Sequence, residues 1–447
     1  MGTRIFGTDG IRGRAGEGWL TTGAATSLGL ALSEVLGGAA AHPRALLGHD
    51  GRKSGPALEA ALARGLRHGG CEVQSCGLVT TPGLAWLAKE SGYTIGAMVS
   101  ASHNPAEDNG IKVFGSSGEK LSDELEMALE ARLVARPTLE LAGEGAELDP
   151  ALEERYLSFL VDVAGKGLAL HGLKIVLDCA NGGASRVAPR VFFRLGAQVI
   201  SIAAEPDGEN INRECGATHL GPLSRAVRTQ GAHLGIALDG DGDRCMLVDE
   251  RGEVVHGDGI MTIVARAAAQ EGGWSDRRIV ATVMSNRGLH KALREVGVGV
   301  VTTDVGDRRV VEALRKESLP LGGEQSGHVV FGAEHDYIGD GIYTALRVLR
   351  ILVRAKKPLS ELAGAYRAFP QVLLNVPVKS KPALSTLART MAAQRKVELE
   401  LGEDGRVLLR YSGTESLARV MVEGPDEALI RARAQELADT MAAEIGT

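Results

Sequence analysis

Several whole classes of protein are marked by features that this sequence lacks. It has five cysteines, Cys71, Cys76, Cys179, Cys215 and Cys245; none forms a Cys-x-x-Cys pair, and the number is odd. That pattern argues against a disulfide framework or a zinc site and fits a reducing compartment. There is no run of about 18 apolar residues, so no membrane-spanning helix is expected. The opening Met-Gly-Thr-Arg-Ile-Phe lacks the apolar stretch of a signal peptide, and Phe6 stands where a myristoylation pattern needs Ser or Thr. A cytoplasmic protein without a membrane partner is the expectation. Positive charge is not in surplus either: 50 Lys and Arg face 56 Asp and Glu, a formal charge of −6, which argues against nucleic acid as a partner. The order of a Walker A loop is absent, and there is no short repeat or disordered tract.

Glycine, by contrast, is abundant: 59 of 447 residues, about twice the usual share. Many of these glycines cluster in short loops beside charged residues, where backbone can approach a ligand closely. Between the loops, short apolar runs alternate with helical patterns. Leu173–Asp178 reads as a buried strand, Cys179–Gly183 as a turn, Ala184–Leu195 as a helix and Gln198–Ile202 as a second strand. The rhythm recurs at Ala45–Gly48, Glu72–Leu78, Thr94–Val99, Arg278–Met284 and Val298–Thr303. A helix over Glu153–Ala164 connects the first two parts. After a helical stretch at Leu359–Ala368, Phe369-Pro370 opens a different piece: strand Val372–Val378, helix Ser385–Ala393, further strands, helix Asp426–Ile445. The expected fold class is α/β, with four domains around a central cleft: three similar α/β domains with mixed sheets and a C-terminal α+β domain. Their boundaries fall at 1–150, 151–252, 253–368 and 369–447.

Four loops carry chemistry. In Ser100-Ala101-Ser102-His103-Asn104-Pro105 a strand runs out into hydroxyls and an imidazole, and the proline ends the ladder. This places an exposed serine beside His103, although an Asn-Pro turn also accounts for the pattern. Lys112 follows and can return to the same cleft, or be solvated. In Asp239-Gly240-Asp241-Gly242-Asp243-Arg244 three carboxylates at alternate positions can wrap one hard cation. An EF-hand is the rival, but Arg244 stands where its turn needs Gly, and the flanks Leu234–Leu238 and Cys245–Asp249 read as strands. Gly322-Gly323-Glu324-Gln325-Ser326-Gly327-His328 mixes donors and acceptors in a way that suits sugar hydroxyls, although a polar glycine-rich turn accounts for it equally. Arg410-Tyr411-Ser412-Gly413-Thr414-Glu415-Ser416-Leu417-Ala418-Arg419 flanks hydroxyls and glycine with two arginines, a cradle for a phosphate dianion. Arg12, in Gly7–Gly13, and Arg52, in His49–Gly55, can each point a cation at the serine or lie on the surface. Asp304–Arg308 follows a strand end and can line a cleft. One such loop in each of four successive domains suggests phosphoryl transfer between a serine and a sugar phosphate.

The four loops, in this order, resemble the signature loops of the α-D-phosphohexomutases over essentially the whole chain. Arg4–Gly13, the doubled glycine before Glu324, Val305–Arg308 and Arg419–Gly424 resemble the branch that handles amino sugars. The resemblance implies interconversion of glucosamine 6-phosphate and glucosamine 1-phosphate, towards UDP-N-acetylglucosamine and cell-wall precursors. It implies Ser102 as phosphoserine and one Mg²⁺ per chain on Asp239, Asp241, Asp243 and a Ser102 phosphate oxygen. It implies Arg244 on the transferring phosphoryl group, Glu324 and Ser326 on sugar hydroxyls, and His328 facing the ring. Arg410, Ser412, Gly413, Thr414, Glu415 and Arg419 would hold the other phosphate. Arg12, His103 and Lys112 become candidates for acid, base or charge roles. A hexose 1,6-bisphosphate activator, a homodimer and a hinge near Phe369 are further implications. Gly51, Ser416 and Ala418 depart from the family pattern without removing a charged group. The rivals are a phosphomannomutase or phosphoglucomutase of the same fold, a metal-dependent phosphatase, and a Ca²⁺-binding sugar module.

Overall fold

The structure is a computed structural model, and it describes residues 4–7, 9–38, 41–412 and 416–446. The chain forms two compact units, Met1–Met284 with Val300–Gly364, and Ser285–Gly299 with Ala365–Thr447.

The first sheet comprises β1 (Ile11–Arg14), β2 (Arg44–His49), β3 (Glu72–Leu78), β4 (Ile95–Val99), β5 (Asp108–Phe114) and β6 (Glu147–Leu148), in the order β1-β5-β4-β2-β3-β6. Strands β2, β3 and β4 run parallel, whereas β5 is antiparallel to both of its neighbours. Ile95-Gly96-Ala97-Met98-Val99 is buried at every position, which is why it reads as a continuous apolar run rather than an alternation. Helices Thr22–Leu32 and Gly55–His68 supply Leu28, Leu32, Leu62 and Leu66 to the core beneath it.

The second sheet has β7 (Lys174–Asp178), β8 (Gln198–Ile202), β9 (Leu234–Leu238), β10 (Cys245–Asp249) and β11 (Val254–Val255), ordered β11-β10-β9-β7-β8. The third has β12 (Arg278–Thr282), β13 (Gly299–Thr303), β14 (Gly322–Gly323) and β15 (Val329–Val330), ordered β13-β12-β14-β15. In the C-terminal unit β16 (Gln371–Pro377), β17 (Arg406–Tyr411) and β18 (Leu417–Glu423) form an antiparallel sheet, order β16-β18-β17, with helices Ala388–Leu401 and Glu427–Ile445. The expected α/β class with mixed sheets is observed.

One structural position recurs. In each sheet a strand folds back on the next as an antiparallel partner: β4 on β5, β9 on β10, β14 on β15 and β17 on β18. The four chemistry-bearing loops of the sequence are these four connections.

The helix expected over Ala184–Leu195 spans Val187–Arg194, the connecting helix begins at Pro150 and continues as a π-helix over Phe159–Ala164, and two later helices differ more. The stretch expected over Leu359–Ala368 ends at Ala363, because Gly364 follows and the residue before Pro370 favours extended backbone. The helix expected over Ser385–Ala393 runs instead over Ala388–Leu401. The Thr386 hydroxyl donates to the Ala383 carbonyl at 2.7 Å and closes a separate turn first, and the helix stops only at Gly402, with φ +61°. Phe369 is tied by both backbone groups to Asn286, 2.8 and 3.0 Å away, so chain passage between the units falls at Gly364–Ala365 and at the two ends of Ser285–Gly299.

Inside the first unit, Glu59 is buried on helix Gly55–His68, and its Oε2 accepts no hydrogen bond; His49 Nε2 is 4.0 Å away. Burial raises the Glu59 carboxyl to about 7 and lowers His49 to about 4. A carboxyl raised from 4.5 to about 7 in the folded state binds its proton more tightly there. The contribution of Glu59 to stability therefore falls as pH rises through that window, by up to about 3 kcal/mol, and stays low above it, while His49, lowered from 6.5, contributes in the opposite direction between about pH 4 and 6.5. In Glu59→Gln this decline should be missing from thermal melts taken between pH 5 and pH 8. Parallel pH profiles of Tm for the two proteins would show that Glu59 does not carry the penalty.

Candidate active site

The serine loop leaves β4 after Val99. Ser102 adopts φ +52°, a left-handed conformation that costs a non-glycine residue about 1–2 kcal/mol. The turn is held there from several sides. The Ser102 N–H donates to Ser100 Oγ at 2.9 Å, and that hydroxyl donates to Asp50 Oδ2 at 2.7 Å. The Ser102 carbonyl accepts from Arg52 Nη2 at 2.9 Å and from Asn212 Nδ2 at 2.8 Å. Arg52 also donates to the carbonyls of Asn104, Pro105 and Asp108, and its Nε pairs with Asp50 at 2.9 Å. Arg52 is therefore a fully buried clamp on the loop backbone, neither a surface arginine nor a cation aimed at the serine hydroxyl. Ser102 is itself only 1% exposed, not the exposed serine expected, because the loop after β9 folds over it.

That loop carries the carboxylates. β9 and β10 pair antiparallel with Leu238 opposite Cys245, the hairpin that the flanking sequence suggested. Asp239, Asp241 and Asp243 are 0%, 0% and 7% exposed, and each brings one oxygen within 4.8 Å of the others. Ser102 Oγ donates to Asp239 Oδ2 at 2.6 Å. Asp239 Oδ1 accepts from the Arg244 N–H at 3.1 Å. Asp241 Oδ1 and Asp243 Oδ1 are buried and accept no hydrogen bond. Two orphaned buried carboxylate oxygens in a hard-oxygen donor set fit a divalent cation such as Ca²⁺ or Mg²⁺.

Cations reach this loop from the first and third domains. Lys112, on β5, is 1% exposed; its Nζ lies 2.8 Å from Asp241 Oδ2, 3.4 Å from Asp243 Oδ2 and 2.9 Å from Asp9 Oδ2. It is thus not a solvated lysine. His328 Nδ1 sits 3.6 Å from Asp243 Oδ1, and its Nε2 sits 4.0 Å from Asp307 Oδ2. Burial disfavours the imidazolium, but Asp243 and Asp307 outweigh it and hold His328 at about 9. Burial, then repulsion from Asp243 and Asp241, raises Asp239 to about 8. His103 Nδ1 lies 3.3 Å from Ser102 Oγ, and burial with nearby Arg244 and Arg12 lowers it to about 4, so it is neutral at pH 7.

A cavity of about 500 Å³ is lined by Ser102, His103, Arg12, Asp243, Arg244, Glu324 and His328. Glu324 Oε1 accepts from the Gly306 N–H at 3.0 Å, and Ser326 Oγ is buried without a partner. No sequence motif marks Asn212, which lies in irregular backbone at φ +58°. Asp9, which pairs with Arg12, Lys112 and Lys120, stands in a loop singled out for its arginine alone. Lys120 bridges Asp9 to Asp307, so it ties the first domain to the third at the cavity edge.

In the C-terminal unit, Arg410 on β17 lies directly opposite Arg419 on β18. Like charges so placed repel, and an anion between them removes the repulsion. The Ser412 N–H donates to the Leu417 carbonyl at 2.9 Å, and its own carbonyl accepts from Lys381 Nζ at 2.6 Å. Gly413, Thr414 and Glu415 lie outside the described residues.

A serine hydroxyl held against a buried carboxylate loop, beside a cavity lined by charged and polar groups, is the arrangement of a phosphotransfer site of the phosphomutase kind. Family models for phosphoglucomutase/phosphomannomutase match the whole succession: domain I over residues 3–138, domain II over 154–252, domain III over 256–369 and the C-terminal domain over 373–440. The chain belongs to the phosphoglucomutase/phosphomannomutase family and is an isomerase. It is 48% identical to the phosphoglucosamine mutase of Frankia alni, over 99% of each chain. It is 46% identical to that of Anaeromyxobacter dehalogenans, over 100% of this chain and 99% of the relative. Among solved structures, a phosphoglucomutase/phosphomannomutase family protein from Burkholderia thailandensis superposes with a TM-score of 0.81 at 27% identity, covering 98% of this chain and 97% of the other. No helix among the described residues is long and apolar enough to cross a membrane.

Gly240 permits the contact between the serine loop and the carboxylate loop: a Cβ there would lie 2.5 Å from the Ser102 carbonyl and 2.8 Å from Asn212 Nδ2. Gly240→Ala should push the loops apart, costing about 1–3 kcal/mol and most of the activity. Thermal melts and turnover of the variant test this, and wild-type turnover would show that the close approach is dispensable.

Proposed function

We propose that the chain interconverts glucosamine 6-phosphate and glucosamine 1-phosphate through phosphorylated Ser102 and a 1,6-bisphosphate sugar, on the way to UDP-N-acetylglucosamine. The observation that carries this reading is the Ser102 hydroxyl, 2.6 Å from a carboxylate of the buried triad and opening on a cavity lined by Glu324 and His328. The names of the relatives at 46–48% identity support the amino sugar.

Asp239, Asp241, Asp243 and a phosphate oxygen on Ser102 would hold one Mg²⁺ per chain. When bound, that cation supplies positive charge to the transferring phosphoryl oxygens. The chain's own residues do the rest. The P–O bond to Ser102 Oγ breaks as a sugar hydroxyl forms a new one. The hydroxyl gives up its proton, and Ser102 Oγ gains one. His103, neutral and 3.3 Å from Oγ, is placed to exchange a proton there. Lys112 keeps the carboxylate loop charged and in place, and Arg12 and Arg244 offer guanidinium groups to the phosphoryl group. Glu324 and Ser326 read hydroxyls, His328 faces the ring, and Glu324 offers a carboxylate to the C2 ammonium.

The bisphosphate then turns end for end, and its second phosphate returns to Ser102. Arg410, Ser412, Gly413, Thr414, Glu415 and Arg419 would hold the non-reacting phosphate in either orientation. A trace of hexose 1,6-bisphosphate would maintain the phosphorylated enzyme. A homodimer and a cytoplasmic location complete the reading on the strength of the family resemblance.

Turnover of glucosamine 6-phosphate, glucose 6-phosphate and mannose 6-phosphate, with Mg²⁺ and a trace of hexose 1,6-bisphosphate, tests the substrate. The amino sugar should show much the highest kcat/KM, and Ser102→Ala should lose at least about a thousandfold in kcat. Equal or better use of the neutral sugars would assign a phosphomannomutase or phosphoglucomutase with the same machinery. Full activity in Ser102→Ala would overturn the phosphoserine route.

A further inference from the structure

We infer that Thr81, on a helix of the first domain, is a positioning residue for the carboxylate loop of the second domain and sets which oxygen of Asp241 faces the cation. The inference rests on the metal-binding reading above. Thr81 opens the helix Thr81–Glu90, whose cap is provided by its neighbour: Thr80 Oγ1 accepts from the Gly83 N–H at 3.1 Å. The Thr81 hydroxyl is therefore not needed for capping, and its N–H is one of the first-turn amides that have no partner within the helix.

Both groups go to Asp241. The Thr81 N–H donates to the Asp241 carbonyl at 2.8 Å, and the Thr81 hydroxyl donates to Asp241 Oδ2 at 2.5 Å. The same Oδ2 also takes Lys112 Nζ at 2.8 Å. Oδ2 thus holds two donors while Oδ1, equally buried, holds none. The two donors are not equivalent. An ammonium attracts either oxygen of a carboxylate, whereas a hydroxyl anchored by its own backbone amide to the same residue fixes the side-chain torsion. Thr81 is 6% exposed, so water does not readily replace it.

Backbone bonds hold the loop elsewhere: the Gly341 N–H, at the start of helix Gly341–Ala355, donates to the Gly242 carbonyl at 3.0 Å, and the Gly183 N–H donates to the Gly240 carbonyl at 2.8 Å. Those contacts set where the loop lies but not how Asp241 is rotated. Partners that orient a metal ligand typically contribute 10- to 100-fold to metal affinity.

Manganese(II) serves as the probe, its free concentration read by electron paramagnetic resonance on the full-length chain. Thr81→Val keeps the shape and removes the hydroxyl; Thr81→Ser keeps the hydroxyl and removes the methyl. The expected result is an Mn²⁺ dissociation constant raised about 10- to 100-fold in Thr81→Val and close to wild type in Thr81→Ser, with turnover of Thr81→Val recovering as Mg²⁺ is raised. Should Thr81→Val not fold, Thr81→Ala against Thr81→Ser makes the same comparison. Wild-type affinity in the variant without a hydroxyl overturns the inference, as does equal weakening in Thr81→Ser, which would assign the effect to packing. A folded wild-type chain that binds no Mn²⁺ would instead overturn the metal reading, and the inference with it.

Discussion

Three carboxylates within five residues are buried where water cannot separate them, and the first compact unit is arranged around that difficulty. Removing one ionised carboxylate from water costs several kcal/mol unless a cation stands beside it. Asp239, Asp241 and Asp243 cannot all find that cation within their own domain. Arg244 comes from the loop itself, but Lys112 comes from β5 of the first domain and His328 from the connection before β15 in the third. The electrostatic demand of one short loop thus fixes how three cores meet. It also explains why the neighbours of the loop are so strongly perturbed: His328 is held protonated, and Asp239 is pushed up to about 8.

From the loop, charges alternate outward. Lys112 reaches Asp9, Asp9 reaches Arg12 and Lys120, Lys120 reaches Asp307, and Asp307 lies 4.0 Å from His328, which returns to Asp243. Within this ring Lys120–Asp307 joins the first domain to the third and His328–Asp243 joins the third to the second, so a shift between domains opens the ring at those pairs. Groups already in place as charge develops need no reorganisation during the reaction. The same logic applies to Ser102. Its unfavourable φ persists because Arg52, Asn212 and Ser100 together over-determine the turn.

How much of this was legible in the sequence depended on the range of the contact. The hairpin around Asp239–Asp243 was legible because both strands and the acidic spacing are local. The serine loop was legible as chemistry but not as burial, since what covers Ser102 lies more than a hundred residues away, in Gly240 and Asn212. Arg52 and Lys112 carry charge, and the prior for a charged residue is solvent; only the assembled fold shows Arg52 surrounded by carbonyls and Lys112 by carboxylates. Thr81 gave no signal, because its role follows from a neighbour having taken the capping position. The late start of Ala388–Leu401 was missed for a local reason, the Thr386 turn that competes with helix.

The proposed reaction runs the same transfer twice, with the sugar reversed in between. Such a cycle favours a fixed phosphoryl station and a substrate read by features common to both orientations. Ser102 and the carboxylate loop, held by many directional hydrogen bonds, suit the first requirement. The second calls for groups that recognise charge and hydroxyls rather than one ring position. Ser326 keeps a buried hydroxyl unpartnered, Glu324 spends only one oxygen, on the Gly306 amide, and Arg410 faces Arg419 across a strand pair. Directional contacts and recognition by charge are different physical solutions: Ser326 and Glu324 lie in Met1–Met284 with Val300–Gly364, as the serine and carboxylate loops do, and the facing arginines lie in Ser285–Gly299 with Ala365–Thr447.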